Sequence, residues 1–362
     1  MVLKEPMPNF PIASRIGITV LAILVFSSPV SALQAAEPAE VPSPTAVKDC
    51  LGKPGADECL DRLFRSALET LKPAQLLRSV QQYEDSDPAL RLSCHPVVHA
   101  LGREIFRLKG TIHDAFAACD QTCHSGCYHG AVERFLRGDG AQTERARHVS
   151  QDELTRKASA ACDPRVPLRI YFQCLHGLGH AIMYFTQNQL DKSLQTCDTL
   201  PEDWSRDSCY GGVFMENVAS STPDKRDVSP TDYHYPCDRV DARYRGACYL
   251  MQTWRMEEMG LTTERLFDEC AKAGPFETQC AQSIGRDLSN AARGGDSRMA
   301  AEKCGRAQGE GRRACIRGVI YALIDNTWDS SYALPFCAAL HEEDIAYCNQ
   351  IGRDYLRMFV GR

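Results

Sequence analysis

Histidines with the spacing of metal ligands are concentrated in the first half of the chain. His95 and His99 stand four residues apart in the phrase CHPVVHALG, and His176 and His180 stand four apart in CLHGLGHAI. On a helix, this spacing puts both imidazoles on one face, with their Cβ atoms about 5–6 Å apart. Two imidazoles placed in this way form half of a transition-metal site.

The positions of nearby cysteines predict that a third segment contributes to the same site. His129 and Glu133 lie two and six residues after one cysteine, and His176 and His180 lie two and six residues after another. The regular spacing of the cysteines along the chain predicts repeated helical units, and equivalent positions of adjacent units stack side by side. We therefore expect these four side chains to share one patch. The predicted metal ligands are therefore His95, His99, His129, Glu133, His176 and His180.

Imidazoles with one carboxylate suit Zn, Cu, Fe or Mn, so the ligand types indicate a transition metal without selecting one. His124 and Glu216 are candidates to support the ligands from outside. The motif HExxH is missing from the sequence, which argues against a zincin-type protease. The pattern identifies no catalytic residue, and it leaves open whether the protein is a metalloenzyme.

Two other interpretations of the histidines stay open. Neutral imidazoles near helix starts can bridge neighbouring repeats; the protein would then be an interaction scaffold without a metal. The same residues could instead bind an anionic or peptide ligand. Haem is not expected, because three residues rather than two separate Cys119 from Cys123 ahead of His124. No nucleotide is expected either, since no glycine-rich phosphate-binding pattern is found.

Cysteine pairs at a regular period predict the elements that position these residues. Six pairs have separations of 10 to 12 residues, and their first members are 35, 40, 33, 34 and 33 residues apart. A period in the thirties is that of stacked two-helix units. A shorter pair, Cys119 with Cys127, fits as an earlier unit. The six regular pairs are Cys162 with Cys174, Cys197 with Cys209, Cys237 with Cys248, Cys270 with Cys280, Cys304 with Cys315, and Cys337 with Cys348.

The cysteine positions also predict where helices begin and end. We expect one helix to end at each first cysteine and another to begin after each second cysteine. Each disulfide would then close a loop of about a dozen residues and contribute ~3 kcal/mol in the chain-entropy model. Among the four other cysteines, Cys50 with Cys59 and Cys94 with Cys123 are the preferred pairs, and Cys59 with Cys94 is the alternative.

A glycine recurs three residues after several of the second cysteines. Glycine costs about 1 kcal/mol inside a helix, so its recurrence predicts the close approach of a neighbouring backbone. These glycines are Gly130, Gly177, Gly212 and Gly318.

Two phrases carry the repeat most clearly: AACDPRVPLRIYFQCLHGLGHAI and EKCGRAQGEGRRACIRGVIYALI. Both have a helix, a cysteine, a short turn, a second cysteine, a glycine and a second helix. Through them the chain, from about Thr111 to Arg362, resembles the Sel1-like branch of the tetratricopeptide-type α/α repeats, especially its cysteine-rich secreted proteins. The resemblance implies a binding scaffold with a concave face and supplies no catalytic residues. The expected fold is all-α, with disulfide-stapled helix hairpins in an α-solenoid-like array.

The beginning of the chain has the pattern of a secretory signal peptide over residues 1–32. Lys4 and Arg15 precede an apolar run from Ile16 to Phe26, and small residues follow that run. A flexible linker is expected at 33–48, His-rich front repeats at 49–218, an inserted loop at 219–236, and back repeats of the same array at 237–362. All 18 cysteines follow the predicted signal, which favours export to the periplasm or the extracellular space, where disulfides persist.

Charge limits the classes of partner. The formal net charge is −6, which argues against nucleic acid or an anionic membrane as the main partner. No segment after the predicted signal is apolar for long enough to span a membrane. The remaining partner class is a protein or peptide.

Overall fold

The computed structural model describes residues 41–138, 150–219 and 225–360, all within one unit, Pro38–Arg362. These residues form eighteen α-helices and one 3₁₀ segment, Ala271–Phe276, with no strand among them. The predicted signal peptide, most of the predicted linker and parts of both insertions lie outside the described residues. The helices are α1 (Pro44–Leu51), α2 (Ala56–Ala67), α3 (Pro73–Ser86), α4 (Pro88–Lys109), α5 (Ile112–Ala118), α6 (Thr122–Arg137), α7 (Gln151–Ala161), α8 (Leu168–Phe185), α9 (Leu190–Cys197), α10 (Asp203–Ala219), α11 (Ala242–Tyr249), α12 (Thr253–Glu258), α13 (Thr263–Cys270), α14 (Glu277–Arg293), α15 (Ser297–Cys304), α16 (Gly309–Asp325), α17 (Ala333–Ala339) and α18 (Glu342–Val360).

The first helix begins inside the predicted linker. The hydroxyl of Ser43 accepts a hydrogen bond from the backbone N–H of Ala46 at 3.2 Å, and Pro44 occupies the first turn of α1. Both features are typical of a helix start. Val47 is then buried against the body. The last residues of the predicted linker at 33–48 are therefore helical. Their Ser-Pro-Ala composition concealed a capped helix start.

All cysteines are paired in nine disulfides, and no thiol is free. The seven predicted repeat pairs are formed, as are Cys50–Cys59 and Cys94–Cys123. Helices end within two residues of six of the seven first cysteines, as at Cys197 of α9. The prediction was wrong at Cys237, which lies in a turn with no helix ending there. The prediction that a helix begins after each second cysteine was wrong: α8 begins at Leu168, ahead of Cys174. Only the first few residues between paired cysteines form the turn.

Glycines let the long helices pack unusually close together. A Cβ built on Gly130 of α6 would lie 1.9 Å from the carbonyl oxygen of His99 in α4, and one on Gly102 would lie 2.1 Å from that of Cys127. No side chain fits at such distances, so only glycine permits this helix separation. The predicted close approach is confirmed at all four recurring glycines, Gly130, Gly177, Gly212 and Gly318.

The second half of the chain packs onto the first. Arg293 of α14 forms an ion pair with Glu84 of α3, and the ring of Phe359 in α18 lies 5.6 Å from that of Phe172 in α8. One large apolar core runs from Val132 to Phe359 and joins residues of both halves. The histidine-bearing helices α6 and α8 are therefore covered by the second half of the chain. None of the described helices is both long and apolar enough to cross a membrane.

Candidate metal centre

Three adjacent long helices carry the histidines. His95 and His99 lie on α4, His129 lies on α6, and His176 and His180 lie on α8. Helix α6 packs against both of the others, so its imidazole is central. The ring centroid of His129 lies 5.2 to 5.3 Å from the centroids of the other four rings. The five imidazoles therefore form one continuous cluster.

Two further glycines make room for the imidazoles. A Cβ on Gly126 would lie 3.3 Å from Nδ1 of His95 and 3.2 Å from Cδ2 of His99. A Cβ on Gly211 would lie 3.4 Å from Nδ1 of His176. A larger residue at either position would press on the rings. The absence of a side chain at these positions therefore shapes the cluster as well as the helix packing.

Burial keeps His95, His129 and His180 neutral. His129 is 2% exposed and His180 is 5% exposed. Burial, followed by repulsion from neighbouring imidazoles, holds the pKa of His95 and that of His129 well below 6.5. Burial also lowers the pKa of His180, to about 3. Each of these rings therefore keeps a lone pair on one nitrogen at neutral pH, which is the form that binds a metal ion.

The outward-facing nitrogens of two rings are fixed by oxygen acceptors. Nδ1 of His95 donates to the carbonyl oxygen of Cys123 at 2.8 Å, and Nδ1 of His180 donates to Oε2 of Glu216 at 2.9 Å. Because a carbonyl or carboxylate oxygen only accepts, the proton of each neutral ring must sit on Nδ1. The lone pair is then on Nε2, and Nε2 of His180 is buried without a hydrogen-bond partner among the described residues.

His129 is held in the same way but through its other nitrogen. Its Nε2 lies 3.0 Å from Oε1 of Gln173, so Nε2 is the donor and Nδ1 carries the lone pair. Nδ1 is buried and has no hydrogen-bond partner among the described residues. One nitrogen anchored by an oxygen and the other left free is the usual arrangement of a metal-binding histidine.

The inner nitrogens converge. Nε2 of His95 and Nε2 of His99 lie 3.1 Å apart, and one ligand atom each from His95, His99 and His129 lies within 4.8 Å of the others. Two lone pairs repel at 3.1 Å, so a proton or a metal cation must lie between them. Two nitrogens that share a tetrahedral ion at about 2.0–2.1 Å are about 3.3 Å apart. The spacing therefore suits a shared metal ion.

Glu133 lies at the edge of the cluster and is held by arginines. Its carboxylate accepts from Arg103 at 2.9 Å and from Arg137 at 2.5 Å, and it lies 3.9 Å from Nδ1 of His99. Burial opposes its charge, but Arg137 and Arg103 outweigh burial and hold its pKa well below 4.5. Glu133 is thus a charged neighbour of His99 rather than one of the converging ligand atoms.

A second group of potential ligand atoms lies nearby. Glu84, Cys94 and Cys123 bring a carboxylate and two sulfurs within 4.8 Å of one another. The two sulfurs are bonded to each other, so neither is a thiolate that could bind a metal. Glu84 is paired with Arg293. Of the two groups found among the described residues, only the histidine group has free ligand atoms.

The structure thus brings five of the six predicted ligands together and places the sixth, Glu133, beside them. Of the predicted supporting residues, Glu216 accepts a hydrogen bond from His180. The ring centroid of His124 lies 6.4 Å from that of His95. Sequence reasoning missed Gln173 and Arg103. A charged residue on an otherwise buried face of α4 was an available signal for Arg103, which is 1% exposed. Gln173 gave no such signal.

Comparisons with known proteins give no family for the chain. No protein-family model matches the sequence, and neither curated proteins nor solved structures give a match.

Proposed function

We propose that this protein binds a divalent transition-metal ion through the imidazoles of His95, His99 and His129. The observation that carries the proposal is the 3.1 Å separation of the two Nε2 atoms of His95 and His99, with one ring nitrogen of His129 in the same group of ligand atoms, all within 4.8 Å of one another. All three ligand atoms would be imidazole nitrogens, because the carboxylate of Glu133 is engaged by arginines. An imidazole-only set favours Zn or Cu over Mn, which prefers oxygen ligands.

His180 lies next to the proposed metal rather than among the three ligands. Its ring centroid is 5.4 Å from that of His99 and 5.3 Å from that of His129. A metal held by three imidazoles keeps a position for water or a substrate group. The free Nε2 of His180 is suited to accept a hydrogen bond from that group and so to orient it. This arrangement is the basis for proposing a metalloenzyme rather than a closed structural site.

We also infer that the chain is exported, with residues 1–32 as its signal peptide. Nine disulfides without a free thiol fit an oxidising compartment. In this proposal the repeats form an α-solenoid-like array that turns back on itself, so that α14 and α18 cover the site. The competing proposal, an interaction scaffold with structural histidines, predicts the same fold but no metal.

Metal titration of protein purified without a histidine tag tests the proposal. Wild type should bind close to one equivalent of Zn²⁺, with a rise in melting temperature. His129→Ala removes a proposed ligand. Metal binding should therefore weaken by at least roughly 10- to 100-fold, which is the loss expected when only a hydrogen-bond partner of a ligand is removed. His341→Ala, a change at an exposed histidine, is the matched control and should bind as wild type does. A wild-type protein that neither binds nor is stabilised by Zn²⁺ or Cu²⁺ would favour the scaffold.

A further inference from the structure

One disulfide differs from the other eight in what it connects. The others join cysteines 8 to 12 residues apart. Cys94 and Cys123 are 29 residues apart, and they join α4 to the beginning of α6. Both helices carry proposed metal ligands. This disulfide is therefore not a hairpin staple of the repeat.

Both halves of this disulfide act on the same imidazole. Cys94 directly precedes His95 in α4, so the bond fixes the backbone from which that ring projects. The carbonyl oxygen of Cys123 accepts the hydrogen bond from Nδ1 of His95 at 2.8 Å. That hydrogen bond sets which ring nitrogen keeps its lone pair. The disulfide thus joins the backbone that carries His95 to the residue whose carbonyl oxygen fixes the tautomer of that ring.

The backbone that supplies this carbonyl is strained. Cys123, His124 and Ser125 have φ angles of 53°, 56° and 63°, a left-handed run that residues other than glycine rarely adopt. Such conformations persist only where surrounding contacts enforce them. The enforcing contacts are the disulfide at Cys123 and a hydrogen bond from the side chain of His124 to Asn290 of α14.

We propose that the Cys94–Cys123 disulfide is a positioning element of the metal site, and that its formation is required before the site can load metal. Formation joins the two sulfurs, and the two electrons and two protons of the thiols reduce a disulfide-bearing oxidant of the compartment to two thiols. Without the bond, the left-handed turn relaxes and the Cys123 carbonyl leaves His95. The inference rests on the proposed metal-binding function.

Cysteine-pair variants separate positioning from general stabilisation. The test variant is Cys94→Ala/Cys123→Ala, and the matched control is Cys337→Ala/Cys348→Ala, which also removes one buried disulfide. Zn²⁺ affinity is measured by competition with a chelating dye. The test variant should lose about ten-fold or more in affinity, as expected when an outer partner of a ligand is lost. The control should stay close to wild type. Equal affinities in the two variants would overturn the proposal.

A second readout does not depend on metal. In metal-free protein with ¹⁵N-labelled histidine, the NMR signals of His95 should show the Nδ1-protonated tautomer in wild type and in the control variant. The test variant should lose that preference. If wild type binds no metal, the proposed function fails. In that case, the NMR signals still test whether the disulfide positions His95. An unchanged His95 signal in the test variant overturns this positioning role, and loss of the Nδ1-protonated preference supports it. If the alanine pair does not fold, Cys94→Ser/Cys123→Ser is measured in both assays.

Discussion

Gly130 of α6 packs against the carbonyl group of His99 in α4. A Cβ on this glycine would lie 1.9 Å from that carbonyl oxygen. Gly130 directly follows His129, so the contact that brings the two helices together also brings His129 to His99. The fold and the proposed site therefore depend on the same residue.

Gly130→Ala should push α6 away from α4. We expect a destabilisation of about 1–3 kcal/mol, typical of overpacking, together with weaker metal binding. The control is Gly246→Ala in α11, where an added Cβ meets nothing within 4 Å. There the helix should gain up to about 1 kcal/mol from the higher helix propensity of alanine. Thermal unfolding of both variants measures the difference, and equal melting temperatures would argue against the close packing.

Gln173 fixes the tautomer of His129, so its removal should affect metal binding more than stability. Gln173→Ala removes the oxygen that accepts from Nε2 of His129 at 3.0 Å. We expect Zn²⁺ affinity to fall by about 10- to 100-fold. Gln82→Ala, at an exposed position of α3, should leave affinity unchanged. Wild-type affinity in Gln173→Ala would show that this hydrogen bond does not orient a ligand.

Glu133 neutralises two buried guanidinium groups. Arg103 keeps its ion pairs with Asp57 and Asp61 in Glu133→Gln, so the main loss is the buried ion pair with Arg137. We expect a destabilisation of about 3–5 kcal/mol, as when a buried ion pair is broken. The comparison variant is Glu310→Gln, which removes an exposed ion pair with Arg313 and should cost less than about 1 kcal/mol. Denaturant unfolding with the disulfides intact gives both values. A small loss for Glu133→Gln would contradict the arginine network.

The regular disulfide pairs and the three histidine-bearing helices could be predicted from sequence because their signals are local. Paired cysteines 8 to 12 residues apart mark each hairpin, and the four-residue spacing of His95 and His99 marks one helix face. The residues that hydrogen-bond to the histidines come from distant parts of the chain, and no sequence pattern marks them. Asn290, which contacts His124, comes from a helix far along the chain.

Whether Glu133 can bind a metal depends on which charged side chains lie near its carboxylate. Its offset after a cysteine placed it correctly beside the histidines. Periodicity could not reveal that Arg103, one turn from His99 on α4, is buried and takes the carboxylate. The pairing of buried charges depends on helix packing, which sequence spacing alone does not give.

Asp325 should make stability depend on pH. Burial raises the pKa of this carboxyl from 3.8 to about 7, although Tyr355 donates a hydrogen bond to it at 2.9 Å. A raised pKa in the folded state favours the protonated form. The contribution of Asp325 to stability is therefore full below its unfolded pKa, near 4, and is lost as the pH rises through about 7.

Asp325→Asn should remove this dependence. The variant should be more stable than wild type at pH 8, by on the order of 4 kcal/mol for a shift of about three pKa units, and should match wild type near pH 4. Asp268→Asn, which changes an exposed carboxylate, serves as the control. Denaturant midpoints at the two pH values provide the measurement. An equal effect of Asp325→Asn at both pH values would contradict the raised pKa.

X-ray absorption spectroscopy of the Zn-loaded wild-type protein tests the central claim most directly. We expect imidazole-type nitrogen scatterers at about 2.0–2.1 Å and no sulfur. A sulfur shell at about 2.3 Å would contradict it, because the metal would then be bound by cysteines such as Cys94 and Cys123 instead of by His95, His99 and His129.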